Sequence, residues 1–155
     1  MPTPASAAEV LYDDILNLQL AAGEHDQLTG VLHRVADVYE FEDLLRDTLA
    51  DEHMKGLLID ELTQLYDCVE LAPELRETDN ARLAAQLFQG TPMRKDTLEK
   101  FLSPLRHAIP PLPNAFFTRD AVMAVNERVI IGSMAFRARY AEALLLKAIF
   151  KYHAA

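Results

Sequence analysis

A carboxylate can accept two N–H groups of a planar guanidinium in parallel, and an arginine can fork in the same way onto a carboxylate. Both chemistries occur close together in this sequence. Asp120 closes the segment PPLPNAFFTRD, Pro110 to Asp120, and Arg139 and Glu142 follow at the start of the next helical pattern. Asp120 could hold a guanidinium, and Arg139 could hold a carboxylate. The plainer alternative is that Asp120 and Arg119 form a turn and a surface pair at the end of a strand.

Other constellations carry less chemistry. Glu24, His25 and Asp26 are adjacent, but neighbours on a helix point in different directions, so a solvated helix start is expected and no metal site. HMKG, His53 to Gly56, approaches a histidine phosphotransfer motif with one residue missing between histidine and lysine, which turns Lys55 by about 100° around a helix. Cys68 is the only cysteine. It ends a leucine-rich pattern with no base nearby in sequence, so a buried, inert thiol is expected there and not a nucleophile. One cysteine excludes an internal disulfide and suits a reducing compartment.

These residues need elements to position them, and 155 residues at 50% hydrophobic content suffice for one domain with a sizeable core. A net charge of -9 argues against a nucleic-acid groove, which needs clustered Lys and Arg. An acidic surface serves solubility first and a small cationic ligand second. The first residues, MPTPASAAE, have no basic start, and no apolar run reaches the length of a membrane span. A cytoplasmic chain with no nucleic-acid or membrane partner, no cofactor and no metal is expected.

Helical periodicity dominates the first two thirds. Leu28, Val31, Leu32 and Val35 mark an amphipathic helix, and Asp37 to Phe41, DVYEF, has the composition of a single strand. Leu44, Leu45 and Leu49 predict a second helix. Met54, Leu57, Leu58, Leu62 and Leu65 predict a longer one that ends before Pro73. Leu83, Leu87 and Phe88 give a stripe stopped by Gly90 and Pro92, and Asp96 is a plausible N-cap for Leu98, Phe101 and Leu102. The character changes at IPPLPN, Ile109 to Asn114, where three prolines forbid a helix. AFFT, AVMAV and RVIIG then read as strands, with Asn126 and Glu127 as a turn. Ala141, Leu144, Leu145, Ala148 and Ile149 give a last helix one apolar face.

PPLPNAFFTRD resembles the arginine deiminase motif in which a PN pair leads through a short strand into FTRD. Arg139 and Glu142 match an arginine and a following glutamate on the family's next helix, and IFKYH, Ile149 to His153, is similar to its end. Upstream, LYDDILNLQLAAGEHDQL resembles an FDD segment followed by an EHD helix, and VYEFEDLLRDTL resembles the next strand and helix. PTPAS, Pro2 to Ser6, is similar to a TPxN segment with Ser6 in place of the asparagine. The resemblance covers essentially the whole chain, in order.

It implies an α+β, mostly helical fold: a helical bundle inserted at about 42–107, flanked at about 1–41 and 108–155 by strands of an incomplete α/β propeller, the pentein domain, all in one partial domain. It also implies that Asp120 binds the guanidinium of arginine while Asn114 and Arg139 hold the α-carboxylate. Asn114 and Asp120 are six residues apart, so a regular strand would put both on one face. In the family a cysteine thiolate attacks the guanidinium carbon, ammonia leaves, and water releases citrulline. That cysteine, the histidine and the partner carboxylates lie beyond the position of Ala155, and the family's first strand lies before Met1. The chain alone is therefore expected to bind arginine weakly and not to turn it over. Its strand edges should be met by a second copy or by a missing C-terminal segment, or the chain should be a truncation product. A non-catalytic guanidino-binding module and a helical protein-interaction adaptor are the alternatives.

Overall fold

Asn17 opens the first helix. In the computed structural model, which describes residues 17–153, its side chain accepts from the backbone N–H groups of Gln19 and Leu20 at 3.0 and 3.2 Å and starts α1, Leu18–Leu32. Two of the unsatisfied N–H groups of a helix start are answered in this way. Glu24, His25 and Asp26 therefore fall inside α1 and not at its start. None of the residues of α1 is buried, and Leu28 and Val31 stand exposed. The PTPAS segment and the LYDDI part of the FDD-like segment lie outside the described residues.

The strand expected at Asp37 to Phe41 does not form. Residues 37–40 have no regular structure, and Glu40 is the extended N-cap of α2, Phe41–Thr48. β-propensity expresses packing within a sheet, and no strand lies beside this segment among the described residues. Glu42 and Asp43 in the first turn favour a helix N-terminus instead. Phe41 packs edge-on against Phe88, with ring centroids 5.1 Å apart.

The next helices follow the apolar pattern. Asp51 accepts from the N–H groups of His53 and Met54 and starts α3, Glu52–Leu65, which buries Met54, Leu58, Ile59 and Leu62. A 3-10 turn, Val69–Leu71, leads into α4, Ala72–Glu77, and Asp79 caps α5, Asn80–Gln89. The helix at Leu98–Leu102, α6, is capped by Thr97 and not by Asp96. Thr97 directly precedes the first helical residue, where its hydroxyl reaches the Lys100 N–H at 3.2 Å. Asp96 lies 3.4 Å from the Lys100 ammonium instead.

The sequence places strands only near Val38 to Phe41 and Ala115 to Gly132, but a further pair closes the loop around α6. β1, Thr91–Pro92, runs antiparallel to β2, His107–Ile109. Lys95 draws the loop together by donating to the carbonyls of Ser103 and Leu105 at 2.9 and 2.7 Å. Strands this short show no periodicity. AFFT is also not a strand: Ala115 and Phe116 lie in turns, Phe117 is the N-cap of a short helix, and that helix, α7, is Thr118–Ala121. The Phe117 N–H donates to the Asn114 carbonyl at 2.9 Å and the Asp120 N–H to the Phe117 carbonyl at 3.1 Å, so local turn bonds occupy the groups a strand ladder would need.

AVMAV and RVIIG form the expected hairpin. β3, Val122–Val125, pairs antiparallel with β4, Arg128–Ile131, across Asn126 and Glu127, and Asn126 takes φ 54°, a conformation that asparagine tolerates. A 3-10 turn at Arg137–Arg139 then enters α8, Tyr140–Tyr152. Helix α8 packs on α2 and α3, and Leu145 and Ile149 join Leu45, Leu49, Leu58, Leu62, Leu75 and Leu83 in one continuous core. Each fully buried leucine contributes about 2 kcal/mol. Among the described residues the fold is thus mostly helical, with two small antiparallel sheets that do not close into a barrel, as an incomplete propeller with helical insertions would have. Among the described residues no helix is long and apolar enough to cross a membrane.

Gly90 joins the helical block to its strand pair. It sits at φ 87°, and a Cβ there would lie 2.7 Å from the Pro111 nitrogen and 2.9 Å from the His107 ring. Both the backbone conformation and the contact with the proline segment require glycine. Gly90→Ala should lower the unfolding free energy by about 2 kcal/mol. Urea denaturation checks this: a lower midpoint is expected, and an unchanged one would show that the turn adapts freely.

Candidate functional site

The three residues singled out in the sequence lie on the two segments that flank the hairpin. Asn114 starts the turns that lead into α7, Asp120 lies on α7 itself, and Arg139 occupies the N-cap of α8. The strand geometry expected for Asn114 and Asp120 is replaced by the two consecutive turn bonds through Phe117. Asn114 is buried, with 7% of its surface exposed, and is tied to Asp120 through that backbone path.

Asp120 and Arg139 meet directly. Arg139 Nη1 donates to Asp120 Oδ2 at 2.9 Å, so the ion pair of Asp120 is with Arg139 and not with its neighbour Arg119. The rest of the guanidinium faces Glu142, one turn into α8. Nε donates to both Glu142 oxygens at 2.9 and 3.0 Å, and Nη2 donates to Oε2 at 2.7 Å. Arg139 therefore bridges two unlike carboxylates: the Glu142 side chain is 2% exposed and that of Asp120 is 50% exposed.

Burial decides which pair matters more. A buried carboxylate is tolerated only when its charge is answered, and the forked contact from Arg139 answers it. The same contact, reinforced by Asp120, holds the Arg139 guanidinium above its ordinary pKa against the opposing effect of burial. Asp120 sits at the solvent rim, where an ion pair contributes only about 0–1 kcal/mol. A guanidinium has five N–H groups. The contacts with Glu142 and Asp120 engage Nε–H and one N–H on each terminal nitrogen, so one N–H on each terminal nitrogen lies outside these two contacts.

Cys68 lies elsewhere, at the end of the α3 segment, 3% exposed. Burial, with Glu70 next in weight, pushes its thiol up to about 11, so thiolate is scarce at neutral pH and the expected inert role fits. A groove of about 460 Å³ runs between α3, β4 and α8, lined by Glu61, Leu65, Ile131, Tyr140, Leu144 and Lys147 among others. None of Asn114, Asp120 or Arg139 lines it. Among the described residues no three His, Cys, Asp or Glu side chains gather as a metal site would need.

Sequence patterns do not single out Tyr66, at the C-cap of α3. It is 3% exposed, and its hydroxyl bonds to the segment that carries Arg139, donating to the Arg137 carbonyl at 3.1 Å and accepting from the Ala141 N–H at 3.0 Å. The partners are more than 70 residues away in the chain, so no local spacing signals the contact. The only sequence clue is a tyrosine, with its polar tip, at the end of an otherwise leucine-rich stripe.

The two carboxylate partners of Arg139 should differ in stability experiments. Arg139→Ala strands the Glu142 charge and should cost about 3–5 kcal/mol, whereas Asp120→Ala should cost about 0–1 kcal/mol. Thermal or urea unfolding of the two variants measures the difference. Equal losses would mean that Glu142 finds another partner.

Comparison with known proteins gives the family. The family profile described as "Arginine deiminase" matches residues 8–155. Arginine deiminases of Mycobacterium bovis and Mycobacterium tuberculosis are each 31% identical to this chain over 169 aligned residues, which cover 97% of the chain and 42% of each relative. The chain thus spans less than half the length of these curated relatives. With the profile match running through Asn114, Asp120, Arg139 and Glu142, the chain belongs to the arginine deiminase family.

Proposed function

We propose that this chain supplies the substrate-holding part of an arginine deiminase site and none of its nucleophilic chemistry. One observation supports this reading above the others: in a member of this family, Asp120 already accepts an N–H from a guanidinium, that of Arg139, at 2.9 Å. The same carboxylate would take the guanidinium of arginine. Arg139, with Asn114, would take the α-carboxylate.

The geometry adds a condition. The guanidinium and the α-carboxylate of arginine are separated by a three-methylene stem, so one arginine cannot lie extended between two groups that touch each other. The Asp120–Arg139 contact must open. It is the weaker of the two contacts that Arg139 makes, half-exposed and worth about 0–1 kcal/mol. The Glu142 contact persists and keeps Arg139 in place. The ligand therefore exchanges one guanidinium on Asp120 for another, with little net gain in water.

In this proposal residues 42–107 form the inserted helical subdomain, and 1–41 and 108–155 are the propeller-derived pieces. The hairpin of β3 and β4 exposes Met123 and Ile130, and its outer edges would be met by further propeller strands or by a second copy. The cytoplasm, a reducing compartment, suits the lone cysteine. A second reading, as a helical interaction adaptor, is favoured by α6. Its apolar stripe Leu98, Phe101 and Leu102 stands 74%, 69% and 70% exposed, with none of its residues in the core.

Titration of L-arginine followed by nuclear magnetic resonance separates these readings. We expect a dissociation constant of about 1 mM or weaker, in keeping with a solvent-screened ion pair, and loss of binding in Asp120→Ala. Affinity should rise when the remainder of a deiminase chain is supplied; an unchanged value points to a stand-alone guanidino-binding module. No arginine-dependent change at all leaves the adaptor reading. The chain alone should form no citrulline, and turnover abolished by Cys68→Ala would contradict the assignment of that thiol.

A further inference from the structure

Helix α8 begins with the wrong kind of residue. N-cap positions favour Ser, Thr, Asp or Asn, whose side chains accept the unsatisfied N–H groups of the first turn. Here the N-cap is Arg139, a donor without an acceptor, and it makes no capping bond. The helix start still finds an acceptor, from a distance. The Tyr66 hydroxyl accepts the Ala141 N–H at 3.0 Å and donates to the Arg137 carbonyl at 3.1 Å.

We propose that Tyr66, from the helical block, is a positioning residue for Arg139. One hydroxyl grips the chain two residues before and two residues after the arginine, and so fixes the 3-10 turn that aims its guanidinium. The same tyrosine has two further holds on that turn. The Arg137 guanidinium lies 4.9 Å from its ring centroid, and Arg137 Nη2 donates to the Tyr66 carbonyl at 3.4 Å. Burial pushes the phenol up to about 12, so the proton that reaches Arg137 stays in place at neutral pH. The N-cap has been given up to a ligand-binding side chain, and the missing acceptor comes from another part of the fold, as local rules are commonly broken at functional sites. The inserted helices thereby take part in substrate recognition without touching the ligand.

This inference rests on the reading of Arg139 as the holder of the α-carboxylate, and the test keeps the two apart. Tyr66→Phe keeps the ring and removes the hydroxyl alone. In the folded variant the Arg139 Nε–H resonance, assigned by its loss in Arg139→Lys, should shift. L-arginine should bind about three- to tenfold more weakly, the range expected if the displaced guanidinium of Arg139 loses one hydrogen bond to the α-carboxylate. Agmatine, which is arginine without its α-carboxylate, should bind as before. A purely structural tyrosine would leave the resonance unmoved or weaken both ligands alike, and either result overturns the proposal. If Arg139→Lys binds L-arginine no worse relative to agmatine, the substrate reading fails, and the resonance shift in Tyr66→Phe alone decides whether Tyr66 positions the arginine. In the unsubstituted chain a nuclear Overhauser contact between the Tyr66 hydroxyl proton and the Ala141 amide is required, whatever the variants do. Its absence contradicts the proposal.

Discussion

The charge of Glu142 is the constraint around which the candidate site is arranged. It lies in the first turn of α8 with 1% of its surface exposed, and an ionised carboxylate that deep in a protein must be paired. Arg139 pairs it with a forked contact, which fixes where the guanidinium can be. Because the arginine is the N-cap of its own helix, its backbone cannot move without disturbing the helix start. Arg139 is therefore held by a buried, forked contact on the Glu142 side and by a single half-exposed contact on the Asp120 side.

That asymmetry links the fold to the proposed function. Helix α8 is seated on α2 and α3 by Leu145, Ala148 and Ile149, and its N-terminus is held by Tyr66 at the end of α3. Asp120 arrives from the other side, on the short helix α7 just before the hairpin, and meets Arg139 only at the solvent rim. Core packing thus determines the position of the arginine, while turns and a four-residue helix determine that of the aspartate. In the proposed function, a ligand that separates the two would displace Asp120 at little cost, and would not displace Glu142 without exposing a buried charge.

Long elements with a buried stripe were legible in the sequence. Leu58 and Leu62 in α3, Leu83 and Leu87 in α5, and Leu145 and Ile149 in α8 repeat at helical spacing because each faces the same core. The hairpin was legible through Asn126 and Glu127. Composition misled where the deciding interaction was not local. DVYEF has β-forming residues, but with no neighbouring strand among the described residues it yields to the helix start at Phe41. AFFT gives way to turn bonds accepted by the carbonyls of Asn114 and Phe117. That Asp120 lies near Arg139 could be expected from the family motif, whereas the direct contact between them and the unequal burial of the two carboxylates on Arg139 could not. Tyr66 was invisible, because its partners are more than 70 residues away.

Double-mutant cycles on Arg139 test this account most directly, because they compare its coupling to Glu142 with its coupling to Asp120 in the same chain. The buried pair should couple by more than about 2 kcal/mol and the rim pair by about 0–1 kcal/mol. Equal couplings, or a stronger one to Asp120, would contradict the assignment of Glu142 as the anchor and Asp120 as the group that releases to receive a guanidinium.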